Sequence, residues 1–119
     1  MRENAHRQIS RQEFKERLLG NSVLGEFGFA FKYIMTIGAD GRLEGINNVG
    51  SHHHGQMTID DALDIFTVRW ETGWVNSSSR AYEVDGKIKL YNIENGQWST
   101  TFTKILPGTD YRMDPPAAP

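Results

Sequence analysis

Three dipeptides decide most of what this chain can become. Asp40-Gly41, Asp85-Gly86 and Asn95-Gly96 each end one alternating segment and begin another. Asp-Gly and Asn-Gly accept the positive φ of a tight hairpin turn, so the chain after each returns antiparallel beside the chain before it. The segments they join have the two-residue period of half-buried strands. In FAFKYIMTI, residues 29–37, Phe29, Phe31, Tyr33, Met35 and Ile37 are large and apolar, while Ala30, Lys32 and Thr36 are small or polar. RLEGIN returns beside it, QMTI passes through Asp60-Asp61 into LDIFTVRW, SRAYEV turns into KIKLYN, and QWSTTFTKI follows. With a short strand around VLGEF, the chain holds about eight strands of roughly five to nine residues.

Eight sequential antiparallel strands in 119 residues have few ways of hiding their edges. Curling into an up-and-down barrel leaves none exposed. An open meander or a two-sheet sandwich is the alternative, but Greek-key folds need long crossover connections and none is visible. The expected fold is mainly β, an eight-stranded antiparallel up-and-down barrel with one short N-terminal helix. Ser10 and Glu13 form a capping-box pattern. Phe14 and Leu18 share a face, Leu19 widens it and Gly20 suits the left-handed residue after a helix, giving a helix over about residues 11–19. That helix lies across or plugs one barrel end. Residues 1–9 read as a flexible N-terminus, 10–106 as one barrel domain, and 107–119, LPGTDYRMDPPAAP without its leucine, as a flexible Pro/Ala-rich tail.

Composition removes several classes of function. At 38% hydrophobic and 24% charged, the chain matches one globular domain with a core of its own. A net charge of -2 provides no basic footprint for nucleic acid or an anionic membrane. The absence of cysteine excludes disulfides, zinc-thiolate sites and a thiol nucleophile. The polar start MRENAHRQIS lacks the apolar run of a signal peptide, and no stretch approaches the roughly 18 apolar residues of a membrane span, so a cytoplasmic protein is expected. No G-x-S-x-G elbow, phosphate loop or dinucleotide fingerprint is present, and no cofactor is expected.

A short helix, the words LLGN, then a meander containing ADGRLEG and a central VRW resemble the small calycin-type barrels: avidin, lipocalin and bacterial lipocalin-like domains. The resemblance covers about residues 18–106. It implies a lipocalin-like eight-stranded barrel closed at one end, with a ligand cavity at the other. Calycins include carriers, inhibitors and enzymes, so the resemblance leaves the ligand open. GEFGF stands where a lipocalin carries the tryptophan of its early G-x-W signature.

An eight-stranded barrel is either just filled by side chains or has room for one small ligand. The strand faces here are mixed. LDIFTVRW places Phe66, Val68 and Trp70 on one face and Ile65, Thr67, Arg69 and Glu71 on the other; QWSTTFTKI places Trp98, Thr100 and Phe102 together. Polar groups among aromatics are what a cavity uses to orient a ligand. The expected function is binding of a small, partly hydrophobic molecule by Tyr33, Arg69, Trp70, Trp74, Tyr82 and Trp98, with His52 and His54 at the mouth. A plainer reading makes Trp70 and Trp98 staples of the core, while Trp74, in ETGWVNSSS, belongs at a rim or a partner surface. The alternative function is a cofactor-independent enzyme, a cyclase, isomerase or lyase. Its acid-base candidates are Glu44, Arg69, Glu71, Arg80, Glu83 and His54, because a carboxylate buried among aromatics has a raised pKa and moves protons near neutrality. On the outer wall the same charges would only keep strands from sticking. A filled barrel acting through a surface around Trp74 is a third reading, and a homodimer is expected of an aromatic-rich barrel. Ser77, Ser78 and Ser79 read as a turn.

SHHHGQ, residues 51–56, reads as a loop at the mouth within NNVGSHHHG. In extended backbone His52 and His54 project to one side and His53 to the other, so one ion takes at most two of them. No glutamate follows within four residues of His54, no later Pro-Gly-His motif adds a ligand, and His6 belongs to the flexible N-terminus. Asp60 or Asp61 reaches the histidines only if the loop folds back. No metal site is expected.

Overall fold

Asp85 and Gly86 both take positive φ, 54° and 78°, the two left-handed residues that a type I′ turn requires, and Val84 pairs with Lys87 across them. The computed structural model describes residues 7–27, 31–48, 50–60, 62–71 and 76–109. In chain order the elements are β1 (Arg7–Gln8), α1 (Arg11–Leu18), β2 (Asn21–Phe27), β3 (Phe31–Ile37), β4 (Arg42–Asn47), β5 (His52–Ile59), β6 (Phe66–Trp70), β7 (Ser77–Val84), β8 (Lys87–Asn92) and β9 (Trp98–Leu106). From β2 to β9 each strand pairs antiparallel with the next, and β9 pairs back onto β2. The result is the expected closed eight-stranded antiparallel up-and-down barrel with one short helix.

Strand β1 completes an edge that the barrel leaves open. β6 pairs only with Ser77–Ser79 of β7, and β1 takes the next stretch of the same edge through Tyr82 and Glu83. Ile9 N–H then donates to the Ala81 carbonyl at 2.8 Å. An unpaired backbone row would otherwise remain.

The ends of β3, β5 and β7 and the start of β2 gather at one end, and the helix lies across it. Ser10 caps the helix by accepting the Glu13 N–H. Phe14 and Leu18 are buried by that helix face, and Phe14 stacks on Phe66 of β6 with ring centroids 3.8 Å apart and planes 17° apart. Ile9, Val23, Ile37, Leu43, Met57 and Ile88 fill the space around them. This end is closed by packed apolar side chains.

Charges tie the closure together. The Glu13 carboxylate does not reach back to the cap amide; it accepts two hydrogen bonds from Arg7 at 2.7 and 2.8 Å and one from Arg17 at 3.1 Å. Glu83 of β7 accepts from the same Arg7 and Arg17. Hydrogen bonds from Arg7 above all hold the Glu13 carboxyl down to about 2 from its ordinary 4.5. A lowered carboxyl stabilises the fold in full above pH 4.5 and ceases to do so as pH falls through about 2. Glu13→Gln is expected to cost about 1 kcal/mol at neutral pH and much less near pH 2, as urea unfolding at the two pH values will register.

The structure departs from the sequence reading in several places. All of SHHHGQ after Ser51 is strand: His52–Ile59 forms β5, paired with β4 through His52–Gln56 and with β6 through Gly55–Ile59. Ser77–Ser79 opens β7 instead of forming a turn. LDIFTVRW enters its strand only at Phe66, because Asp60 Oδ1 accepts the N–H groups of Ala62 and Leu63 at 2.8 Å and bends the chain first. Within the segment expected to be flexible, Arg7 and Gln8 form β1 and Ile9 is fully buried. At the other end, Gly108 N–H donates to Asn21 Oδ1 and its carbonyl accepts from Ser22 Oγ. No helix among the described residues is long and apolar enough to cross a membrane.

Candidate functional site

Register fixes which side chains face the barrel interior. Val23, Gly25 and Phe27 share the inner face with Tyr33, Met35 and Ile37 across the β2–β3 pairing. Leu43, Gly45 and Asn47 follow on β4; His53, Gly55, Met57 and Ile59 on β5; Phe66, Val68 and Trp70 on β6. Ser77, Ser79 and Ala81 continue it on β7, Leu90 and Asn92 on β8, and Thr100 and Phe102 on β9. These rows have a gradient. Toward the helix-closed end they carry Val, Ile, Leu, Met and Phe; toward the other end Gly25, Gly45, Gly55, Ser77 and Thr100 alternate with the aromatics Phe27, Tyr33 and Trp70. Small residues on the strands let neighbouring rings lie against the wall, so that the middle of the lumen is left unfilled.

That volume is a cavity of about 370 Å³, at the small end of the range for small-molecule sites. Phe27, Tyr33, Met35, Val68, Trp70, Leu90 and Phe102 give it an apolar lining, and Ser77, Ser99 and Thr100 bring hydroxyls.

Two of the aromatics lie over glycines. Gly25 pairs with Tyr33, and a Cβ there would stand within 2.6 Å of Tyr33 Cε1. Gly55 pairs with Trp70, and a Cβ there would stand 2.9 Å from Trp70 Cε3 and 2.5 Å from the Arg69 carbonyl oxygen. Each ring thus lies flat on a strand instead of crossing the lumen, the arrangement by which an aromatic covers a cross-strand glycine. Thr100 Oγ1 donates to the Glu26 carbonyl at 2.8 Å, which leaves the Tyr33 hydroxyl to donate to Thr100 Oγ1 at 2.5 Å. Burial pushes the Tyr33 hydroxyl well above its ordinary pKa. It serves as a neutral hydrogen-bonding group.

Of the ligand-binding residues expected from sequence, Tyr33 and Trp70 line the cavity. The others stand elsewhere. Tyr82 faces outward and meets Tyr91 edge-on at 5.7 Å. Trp98 pairs with outward-facing Tyr91 across a bulge at Leu90/Tyr91, which turns Ser99 inward and leaves the indole outside, donating to Thr101 Oγ1 at 2.8 Å. Arg69 pairs with Gln56 on the outer wall, and His52 and His54 are exposed there too. Trp74 lies outside the described residues.

The acid-base candidates are not in the cavity. Glu83 is bound into the ion-pair network with Arg7 and Arg17 at the closed end. Arg80 is exposed on β7. Glu44, His54, Arg69 and Glu71 border an open depression of the outer wall that Arg42 and Gln56 also line. Among the described lining residues only Tyr33 is ionisable, and burial keeps it neutral. Phe27, Met35, Leu90 and the hydroxyls of Ser77 and Ser99 were missed by sequence reasoning; the inward glycines were the signal that marks the hollow half.

One group of possible metal donors exists among the described residues: Glu44, His52 and His54, whose ligand atoms lie within 4.8 Å of one another. Comparisons of the chain with protein-family models, with curated proteins and with solved structures found no match.

Proposed function

We propose that this protein binds one small, largely hydrophobic molecule in the hollow half of its barrel, as a calycin-type carrier does. The observation that carries this reading is the cavity of about 370 Å³ itself: a helix and packed apolar residues close one end, and at the other Gly25 and Gly55 let the Tyr33 and Trp70 rings lie against the wall instead of across the lumen. A ligand there replaces water against aromatic and aliphatic surface, which is worth about 25 cal/mol per Å² of apolar area removed from solvent. Tyr33, Thr100, Ser77 and Ser99 provide a few fixed polar contacts that set orientation. A neutral lining favours an uncharged or weakly polar ligand body, because a buried unpaired charge is costly.

Titration with the amphipathic fluorophore 1-anilinonaphthalene-8-sulfonate tests the reading. The expected result is saturable, blue-shifted emission at one dye per chain.

A further inference from the structure

The histidines of β5 belong to a different surface from the cavity. His52 and His54 are two residues apart on one strand and share its outer face. Glu44 sits directly opposite His54 in the β4–β5 pairing and diagonal to His52, which pairs with Ile46. Its Oε2 is 2.7 Å from His52 Nε2 and 3.6 Å from His54 Nε2. The shorter distance is a hydrogen bond. The longer is beyond one, yet the second imidazole still turns its Nε2 toward the same oxygen.

We propose that Glu44, His52 and His54 form a binding site for a divalent transition metal of the Zn²⁺ class. Two imidazole nitrogens and one carboxylate make a donor set that suits zinc, copper, nickel and iron and not the all-oxygen shells of calcium or magnesium. Bonds of about 2.0–2.2 Å in a tetrahedral shell place donor atoms about 3.3–3.5 Å apart. The two carboxylate–imidazole distances bracket that value and all three donors lie within 4.8 Å of one another, so rotation of three partly exposed side chains is what draws them onto one ion. His53 cannot join, since it faces the interior, where its Nε2 meets Ser51 Oγ at 2.5 Å. Three protein ligands on an open wall leave at least one coordination position for water or another small ligand. Glu44 and His54 also border the depression lined by Arg42, Arg69 and Glu71.

The test is Zn²⁺ titration of the full, untagged chain by calorimetry, together with the visible absorption of the Co²⁺-loaded protein. One ion per chain is expected. His52→Ala, His54→Ala and Glu44→Gln should each weaken binding roughly 100-fold or more, since even outer-shell partners of metal ligands are worth 10–100-fold. His6→Ala should bind as the parent does, and unchanged far-UV circular dichroism will separate ligand loss from misfolding. No zinc uptake by the parent at millimolar concentration, binding that survives Glu44→Gln, or binding that disappears with His6→Ala would each overturn the proposal.

Discussion

Replacing Phe66 with alanine is expected to remove about 3–5 kcal/mol of folding free energy, the usual cost of deleting a fully buried aromatic ring. Phe66 is fully buried, and its ring is stacked on Phe14 of the helix. Both the lost transfer energy and the cavity left behind therefore fall where the helix docks onto the barrel. Against a total stability of about 5–15 kcal/mol, this lowers the melting midpoint by roughly 12–20 °C. Phe14→Ala should cost a similar amount, and the double variant less than the sum by about 0.5–3 kcal/mol, because each single change already breaks the shared stack. Thermal and urea unfolding followed by circular dichroism measure all three. A shift of a degree or two for Phe66→Ala would mean that the helix does not plug the barrel.

Gly25→Ala should damage binding more than its single methyl suggests. The added Cβ would occupy the place of the Tyr33 ring, so the ring must swing into the lumen and lose its bond to Thr100. Overpacking of this kind costs about 1–3 kcal/mol of stability. The swung ring takes up cavity volume, and affinity for an apolar probe should fall roughly tenfold, which is about 1.4 kcal/mol. Tyr33→Phe provides the contrast. It keeps the ring over Gly25 and removes only the hydroxyl, while Thr100 retains its bond to the Glu26 carbonyl, so the stability cost is about 1 kcal/mol and the cavity stays open. If both variants bound the probe equally well, the glycine-aromatic pairing would have no part in keeping the lumen clear.

The barrel was legible in the sequence because its turns are chemical signals. Asp85-Gly86 demands its hairpin whatever surrounds it, and the alternation of FAFKYIMTI needs no neighbour to be recognised. The β5 strand was not legible for a physical reason tied to the site itself. Alternation is read from apolar residues on the inner face, and there β5 carries His53, bonded to Ser51, and Gly55, covered by the Trp70 ring, so the period-two signal disappears. Only Met57 and Ile59, nearer the packed end, keep it. Trp98 was misplaced because one bulged residue inverts the facing of every side chain before it, and nothing local in QWSTTF marks a bulge. Glu44 and His52 are eight residues apart, and only the pairing of β4 with β5 brings them together.

The hollow half of the barrel is tested most directly by filling it. Leu90 lines the cavity from β8, and Leu90→Trp places an indole in the lumen without touching the outer wall. Titrated side by side with 1-anilinonaphthalene-8-sulfonate, the parent chain should bind one dye with blue-shifted emission and Leu90→Trp none, while both unfold cooperatively. Equal dye binding by the two proteins would place the probe on the outer surface and contradict a ligand cavity inside this barrel.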